Sequence, residues 1–198
     1  MNAKRMQIIQ LLLEAGIPIF GMLFWNWNLA FILFYYVFDW LASTLLTGAK
    51  IKKCIDYLGG GVFRSNWYLF GFISITLILP SLVFANYFLN NVSNDFSFFK
   101  EFERFFFYKD MGIEQGYLLL PLVLVNAWTQ YRMQFLITQA HTRTNELTIV
   151  KKYLLQNGLI LIGILLCFGI SAVVQLNEWI YITLLLVSTG VFRFFVRT

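Results

Sequence analysis

Residues 154–176 read LLQNGLILIGILLCFGISAVVQL, with no Asp, Glu, Lys or Arg among them. A spanning α-helix needs about 20 largely apolar residues at 1.5 Å each, so this stretch is long enough to cross a bilayer. Lys151 and Lys152 precede it, and Asn177-Glu178 separates it from a second apolar run that starts at Trp179. Outward from there the pattern recurs, with candidate spans at about 7–25, 29–48, 67–89, 117–138, 154–176 and 179–196. The expectation is an all-α polytopic transmembrane bundle of six helices, a single domain over residues 1–198.

Composition agrees. Hydrophobic residues make up 59% of the chain and charged residues 13%, against about 25% charged in soluble domains. A water-soluble surface cannot be assembled from that inventory, so membrane lipids are the expected surroundings. The net charge of +5 is not gathered on one basic face, and nucleic acid is not an expected partner. The basic residues sit at the ends of apolar runs instead. Lys4 and Arg5 precede the first span; Lys50, Lys52, Lys53 and Arg64 follow the second; Arg143, Lys151 and Lys152 follow the fourth; Arg193 and Arg197 close the chain. The other side receives Asp95, Glu101, Glu103, Asp110, Glu114 and Glu178, with Lys100, Arg104 and Lys109. By the positive-inside rule both termini are cytoplasmic. The apolar run after Arg5 is read as a retained first span, because no small-residue cleavage site follows it.

Two further segments show helical amphipathicity. Ile51, Cys54, Ile55 and Leu58 share a side opposite Lys50, Lys52, Lys53 and Asp56, before Gly59-Gly60-Gly61 ends the pattern. Phe98, Phe99, Phe102, Phe105 and Phe106 oppose Ser97, Lys100, Glu101 and Arg104. Each is expected either to lie flat on the bilayer or to pack on the protein's own spans. The short connections Trp25-Asn26-Trp27-Asn28 and Leu176-Asn177-Glu178-Trp179 predict tight antiparallel hairpins with Trp at an interface.

Ionisable groups within spans cost roughly 2.5–3.5 kcal/mol on insertion scales, and they usually face a bundle interior or a wet cavity. Glu14, Asp39 and Arg132 fall at comparable depth. They form either a structural set, with Asp39 and Arg132 paired, or a coupling site for a solute, ion or proton. Pro18 frees the carbonyl of Glu14 from its helical bond, which places an acid and an open carbonyl at one level. Asn126, Gln130, Gln134 and Thr138, four apart, form a stripe for either interhelical hydrogen bonds or a polar path. His141 is the single histidine, so bis-histidine haem ligation is excluded. It is expected to be a solvated helix-end residue. No metal-ligand spacing is present, no cofactor is expected, and a disulfide between Cys54 and Cys167 is not expected. Asn91-Val92-Ser93 matches a glycosylation sequon, and Cys54 sits where acylation is conceivable. Only Arg132, His141, Arg143 and Glu146 approach an interfacial catalytic set.

Pro18-Ile19-Phe20-Gly21 through Trp27, Tyr35, Tyr36 and Asp39-Trp40 resembles the opening hairpin of a group of uncharacterised bacterial multi-pass membrane proteins. That resemblance covers the first quarter of the chain and implies a bacterial cytoplasmic (inner) membrane and a special place for Asp39. The function expected is that of a membrane subunit or assembly protein without its own enzymatic activity, working with other membrane subunits or a second copy. The alternatives are a small-solute, ion or proton-coupled carrier using Glu14, Asp39 and Arg132, and an intramembrane enzyme.

Overall fold

A computed structural model describes residues 16–59, 61–65, 67–93, 96–107, 109–110 and 113–197. Helix α1 is described over 16–24, and α2 covers Leu29–Leu58, α3 Val62–Ser65, α4 Trp67–Val92 and α5 Phe98–Phe107. A two-residue ladder pairs Lys109–Asp110 with Ile113–Glu114, antiparallel. Helix α6 (Gln115–Gln130) runs into a π turn, Tyr131–Leu136, and a 3₁₀ turn, Ala140–Thr142, leads to α7 (Glu146–Val173) and α8 (Glu178–Arg197). Residues 7–15 of the first expected span, including Glu14, lie outside the described residues.

Among the described residues three helices are long and apolar enough to cross a membrane: Leu29–Leu58, Tyr68–Val92 and Glu146–Val173. Helix α2 is the central one. Every residue from Leu29 to Tyr36 is buried, and a helix apolar on all sides belongs inside a bundle. Its start is set by Asn28, whose Oδ1 accepts the Phe31 N–H at 2.9 Å, satisfying one of the orphan donors of the first turn. Asn28 also donates through Nδ2 to Glu101 Oε2 at 3.2 Å, tying this cap to α5.

The segment 50–58 is not a separate surface helix. It is the last part of α2, 30 residues long, and so about 45 Å at 1.5 Å per residue. That exceeds the roughly 30 Å hydrocarbon core, and Ile51 and Cys54, both fully buried, carry the packed face of the helix on. The phenylalanine segment is helical as expected, and it packs on the protein's own helices. Phe105 is buried and meets Phe31 edge-on at 5.4 Å and Phe38 in a stack at 5.7 Å. Trp27, expected at an interface, is also buried, because its indole lies over Gly21, where a Cβ would overlap the ring. Trp179 is half-exposed.

Helix α7 packs against α2, α4 and α8. Rings of Phe70 and Tyr153 meet at 5.4 Å and those of Phe84 and Phe168 at 5.8 Å. The α7–α8 contact is close because Gly163 faces Ser188 Oγ, 2.9 Å from where a Cβ would stand, the small-residue contact that lets membrane helices approach. The α7–α8 connection is held by Tyr181, whose hydroxyl donates to the Val174 carbonyl at 2.8 Å and accepts the Leu176 N–H at 3.3 Å.

Outward faces are apolar. Phe72, Ile75, Leu79 and Val83 on α4, Leu122, Val125 and Trp128 on α6, and Leu155, Ile162 and Leu166 on α7 are all exposed. A soluble monomer rarely shows contiguous apolar patches beyond a few hundred Å², whereas lipid accepts such a belt. Hydroxyls within it are satisfied internally. Thr76 donates to the Phe72 carbonyl, Thr129 to Val125 and Thr183 to Trp179, each four residues back, as a medium without hydrogen-bonding solvent requires.

Candidate functional site

Of the site residues expected from the sequence, Glu14 lies outside the described residues, and the others differ in burial. Asp39 is half-buried on α2, whereas Arg132 is exposed. The cause is local. The core-facing stripe of α6 and the turn that follows it is Leu119, Val123, Ala127, Tyr131 and Phe135, and Arg132, one residue past Tyr131, falls off that stripe. The amide stripe suffers the same offset. Asn126 and Gln130 are half-buried at the margin of the packed face, while Gln134 and Thr138 are exposed. The π turn keeps that offset constant. Its Ile137 N–H bonds the Arg132 carbonyl five residues back at 2.9 Å, so each residue advances less far round the axis than in an α-helix. Tyr131 and Phe135 therefore stay on the core side.

Interhelical polar contact is made elsewhere. The Tyr153 hydroxyl of α7 accepts the Trp40 Nε1–H at 3.3 Å and shares a 2.8 Å hydrogen bond with Thr44 Oγ1. Asn157, also buried, donates to the Tyr153 carbonyl at 3.1 Å.

The densest unassigned polar group lies at the end of the bundle where α2 finishes and α7 begins. Helix α2 ends because Gly59 takes φ 71°, its N–H bonding the Ile55 carbonyl at 2.9 Å. Gly61 has φ 146°, a conformation that residues with side chains rarely adopt. Gly61 also lies directly on the Glu146 side chain, where an added Cβ would stand 2.5 Å from Oε2 and 2.6 Å from Oε1. Gly59 is thus the helix stop and Gly61 the cover of a carboxylate. Glu146 is the first residue of α7, where the helix dipole favours an anion, and is 3% exposed. Its Oε1 accepts the Val62 N–H at the start of α3. Oε2 is buried with no hydrogen-bond partner among the described residues.

Around it lies an open cleft of about 540 Å³, lined by Leu58, Gly61, Val62, Thr142, Arg143, Thr144, Asn145, Glu146 and Leu147. The 140–145 segment is fastened to α2 at two points. The Cys54 thiol donates to the Thr144 carbonyl at 3.5 Å, and the His141 ring meets Tyr57 edge-on at 5.6 Å. His141 is therefore half-buried, not a solvated end residue, and its Nδ1 has no partner among the described residues. Cys54, fully buried, is not placed for acylation. The cleft offers one buried carboxylate, one exposed guanidinium at Arg143, two threonine hydroxyls and an asparagine amide. Among the described residues no three of His, Cys, Asp and Glu are grouped to hold a metal ion. These groups suit recognition of a ligand carrying both charges. Sequence reasoning named Glu146 but not its setting, since Val62 lies 84 residues away; a lone acid opening an apolar run just after Thr144-Asn145 was the available signal.

Comparison of the chain with family models, curated proteins and solved structures found no match. The long apolar helices and the outward apolar belt place the chain among helical membrane proteins.

Proposed function

We propose that this chain is a membrane subunit or assembly protein that works through its lateral surface. The observation that carries the reading is Arg132, exposed on the outer side of α6 beside exposed Trp128, Met133 and Ile137. A guanidinium among lipid-facing apolar side chains is costly unless it finds an anion, and a neighbouring helix bearing a carboxylate supplies one. The bundle interior offers support from the other direction. It is filled by Phe, Tyr, Trp and Leu side chains, and its Trp40, Thr44 and Tyr153 polar groups are turned on one another. The exposure of Arg132, against the half-buried Asp39, favours this reading over the carrier alternative.

The proposed topology is six spans with both termini cytoplasmic, in a bacterial inner membrane. It draws on the loop charges, on the additional helices α6 and α8, and on α1 ending at the first short turn. The 540 Å³ cleft then opens on the cytoplasmic side.

The test is site-specific photocrosslinking in native membranes from position 133 on α6 and, as the contrasting face, position 83 on α4. A discrete adduct from position 133, lost in Arg132→Gln, is the expected result. Equal, diffuse lipid-only products from both positions, with a monomeric mass after mild extraction, would overturn the reading.

A further inference from the structure

We propose that the Glu146 cleft binds the headgroup of an ethanolamine phospholipid, with its primary ammonium at Glu146 and its phosphate at Arg143. The argument begins with the orphaned oxygen. A buried carboxylate oxygen without a donor leaves a desolvation penalty uncompensated, and among the described residues Glu146 Oε2 is such an atom, in a side chain 3% exposed. A group bringing N–H donors and positive charge removes that penalty. An ammonium does so through a short, charge-assisted hydrogen bond, whereas a quaternary amine carries charge but no N–H. Thr142, Thr144 and Asn145 on the same cleft wall supply further acceptors for the remaining ammonium hydrogens.

The phosphate follows from charge placement. Arg143 is exposed at the cleft, three positions from the buried acid, and a guanidinium fork matches phosphate oxygens. One acid set deep and one base set at the mouth define a zwitterion's orientation. The apolar rim identifies the rest of the ligand. Leu58, Val62 and Leu147 line the same opening and are each about half-exposed, at 53%, 49% and 51%, a surface suited to the first carbons of acyl chains. The volume of about 540 Å³ lies within the usual range for small-ligand sites. Gly61 covers Oε2 with backbone alone, so little mass has to shift when the ammonium arrives.

The inference stands on the cleft and does not rest on the lateral-partner reading, which concerns the outer face of α6. The experiment uses the purified full chain in a neutral detergent, with binding of dihexanoyl phosphatidylethanolamine, phosphatidylcholine and phosphatidylglycerol followed by native mass spectrometry. The ethanolamine lipid is expected to bind at least about tenfold more tightly than the choline lipid, the difference made by a hydrogen bond to a charged group. Glu146→Gln keeps an acceptor for Val62 and should bring the two lipids to equal affinity. Arg143→Gln should weaken both by a similar factor. Free phosphoethanolamine separates the sources: displacement at equal concentration assigns the headgroup alone, and displacement only at hundredfold excess makes the acyl chains part of the ligand. Ethanolamine and choline lipids within threefold of one another on the unaltered chain overturn the proposal. So does an ethanolamine preference that survives Glu146→Gln. Should that variant fail to fold, the lipid comparison on the unaltered chain and Arg143→Gln still decide.

Discussion

Replacing Tyr153 by Phe removes one oxygen from the contact between α2 and α7 and leaves the ring against Phe70 in place. The hydroxyl accepts the Trp40 indole N–H at 3.3 Å and pairs with Thr44 Oγ1 at 2.8 Å. Thr44 loses little, because its hydroxyl also donates to the Trp40 carbonyl at 2.9 Å. Trp40 loses the acceptor for its N–H while 2% exposed. An orphaned buried donor costs about 1–3 kcal/mol, although interhelical hydrogen bonds in bilayers average about 0.6 and reach about 1.7 kcal/mol. The expected destabilisation is therefore roughly 1–2 kcal/mol, or about 3–6 °C in melting temperature for a chain of this size. The assay is thermal unfolding in a fixed detergent for Tyr153→Phe, Trp40→Phe and the double variant. The indole N–H is absent in Trp40→Phe, so adding Tyr153→Phe there should cost about 1 kcal/mol less than in the unaltered chain. Losses that add to within about 0.3 kcal/mol would refute the claim that this hydrogen bond couples the two helices.

Gly158→Ala should stabilise the chain by about 0.5–1 kcal/mol, because nothing lies within 4 Å of the added methyl group. Gly163→Ala on the same helix should destabilise it by about 1–3 kcal/mol by pressing on Ser188; equal effects in chemical denaturation would discredit the α7–α8 contact. Gly61→Ala combines a forbidding φ with overlap on Glu146, and a loss of about 2–4 kcal/mol is expected in the same measurement. Cys54 and Cys167 are both fully buried, so maleimide labelling of the folded chain should be at least about a hundredfold slower than after denaturation; fast labelling would show that the α2 end opens readily. Topology reporters inserted within 91–95 and 139–145 should report opposite sides of the membrane, and identical sides would remove the six-span proposal.

The helices were legible because membrane-spanning length and apolar composition leave a strong trace over many residues. Boundaries at Asn28, Gly59 and the turn after Val173 could be read to within a few positions from caps and glycines. Packing partners could not. Ile51 and Cys54 have the same periodicity whether a helix lies on lipid or continues into a bundle, so 50–58 was separable only by knowing what covers it. Arg132 illustrates the same limit on angle. A stripe spaced by four shows that Asn126, Gln130 and Gln134 share a side, yet not which neighbouring stripe, theirs or that of Ala127 and Tyr131, meets α2. The wide turn at Tyr131–Leu136 leaves no sequence mark, and it carries the core-facing side on from Tyr131 to Phe135. Glu146 and Gly61 were each visible alone. Their contact is a long-range event created where α2 ends and α3 and α7 begin.

Tyr181 grips the connection between α7 and α8 from within α8, so the contacts that close this hairpin are local in the chain. Val174 and Leu176 already have their backbone partners, and Ile180 bonds the Asn177 carbonyl at 2.9 Å. During synthesis α8 leaves the ribosome only a few residues behind α7, so the pair can enter the bilayer as a closed wedge. Under the proposed topology its tip carries Glu178 across, at roughly 2.5–3.5 kcal/mol on insertion scales, against apolar residues that each contribute about 0.3–0.6 kcal/mol on either side. The backbone of the tip crosses with those hydrogen bonds made. Fewer groups at the bend are thereby left for water to satisfy during translocation.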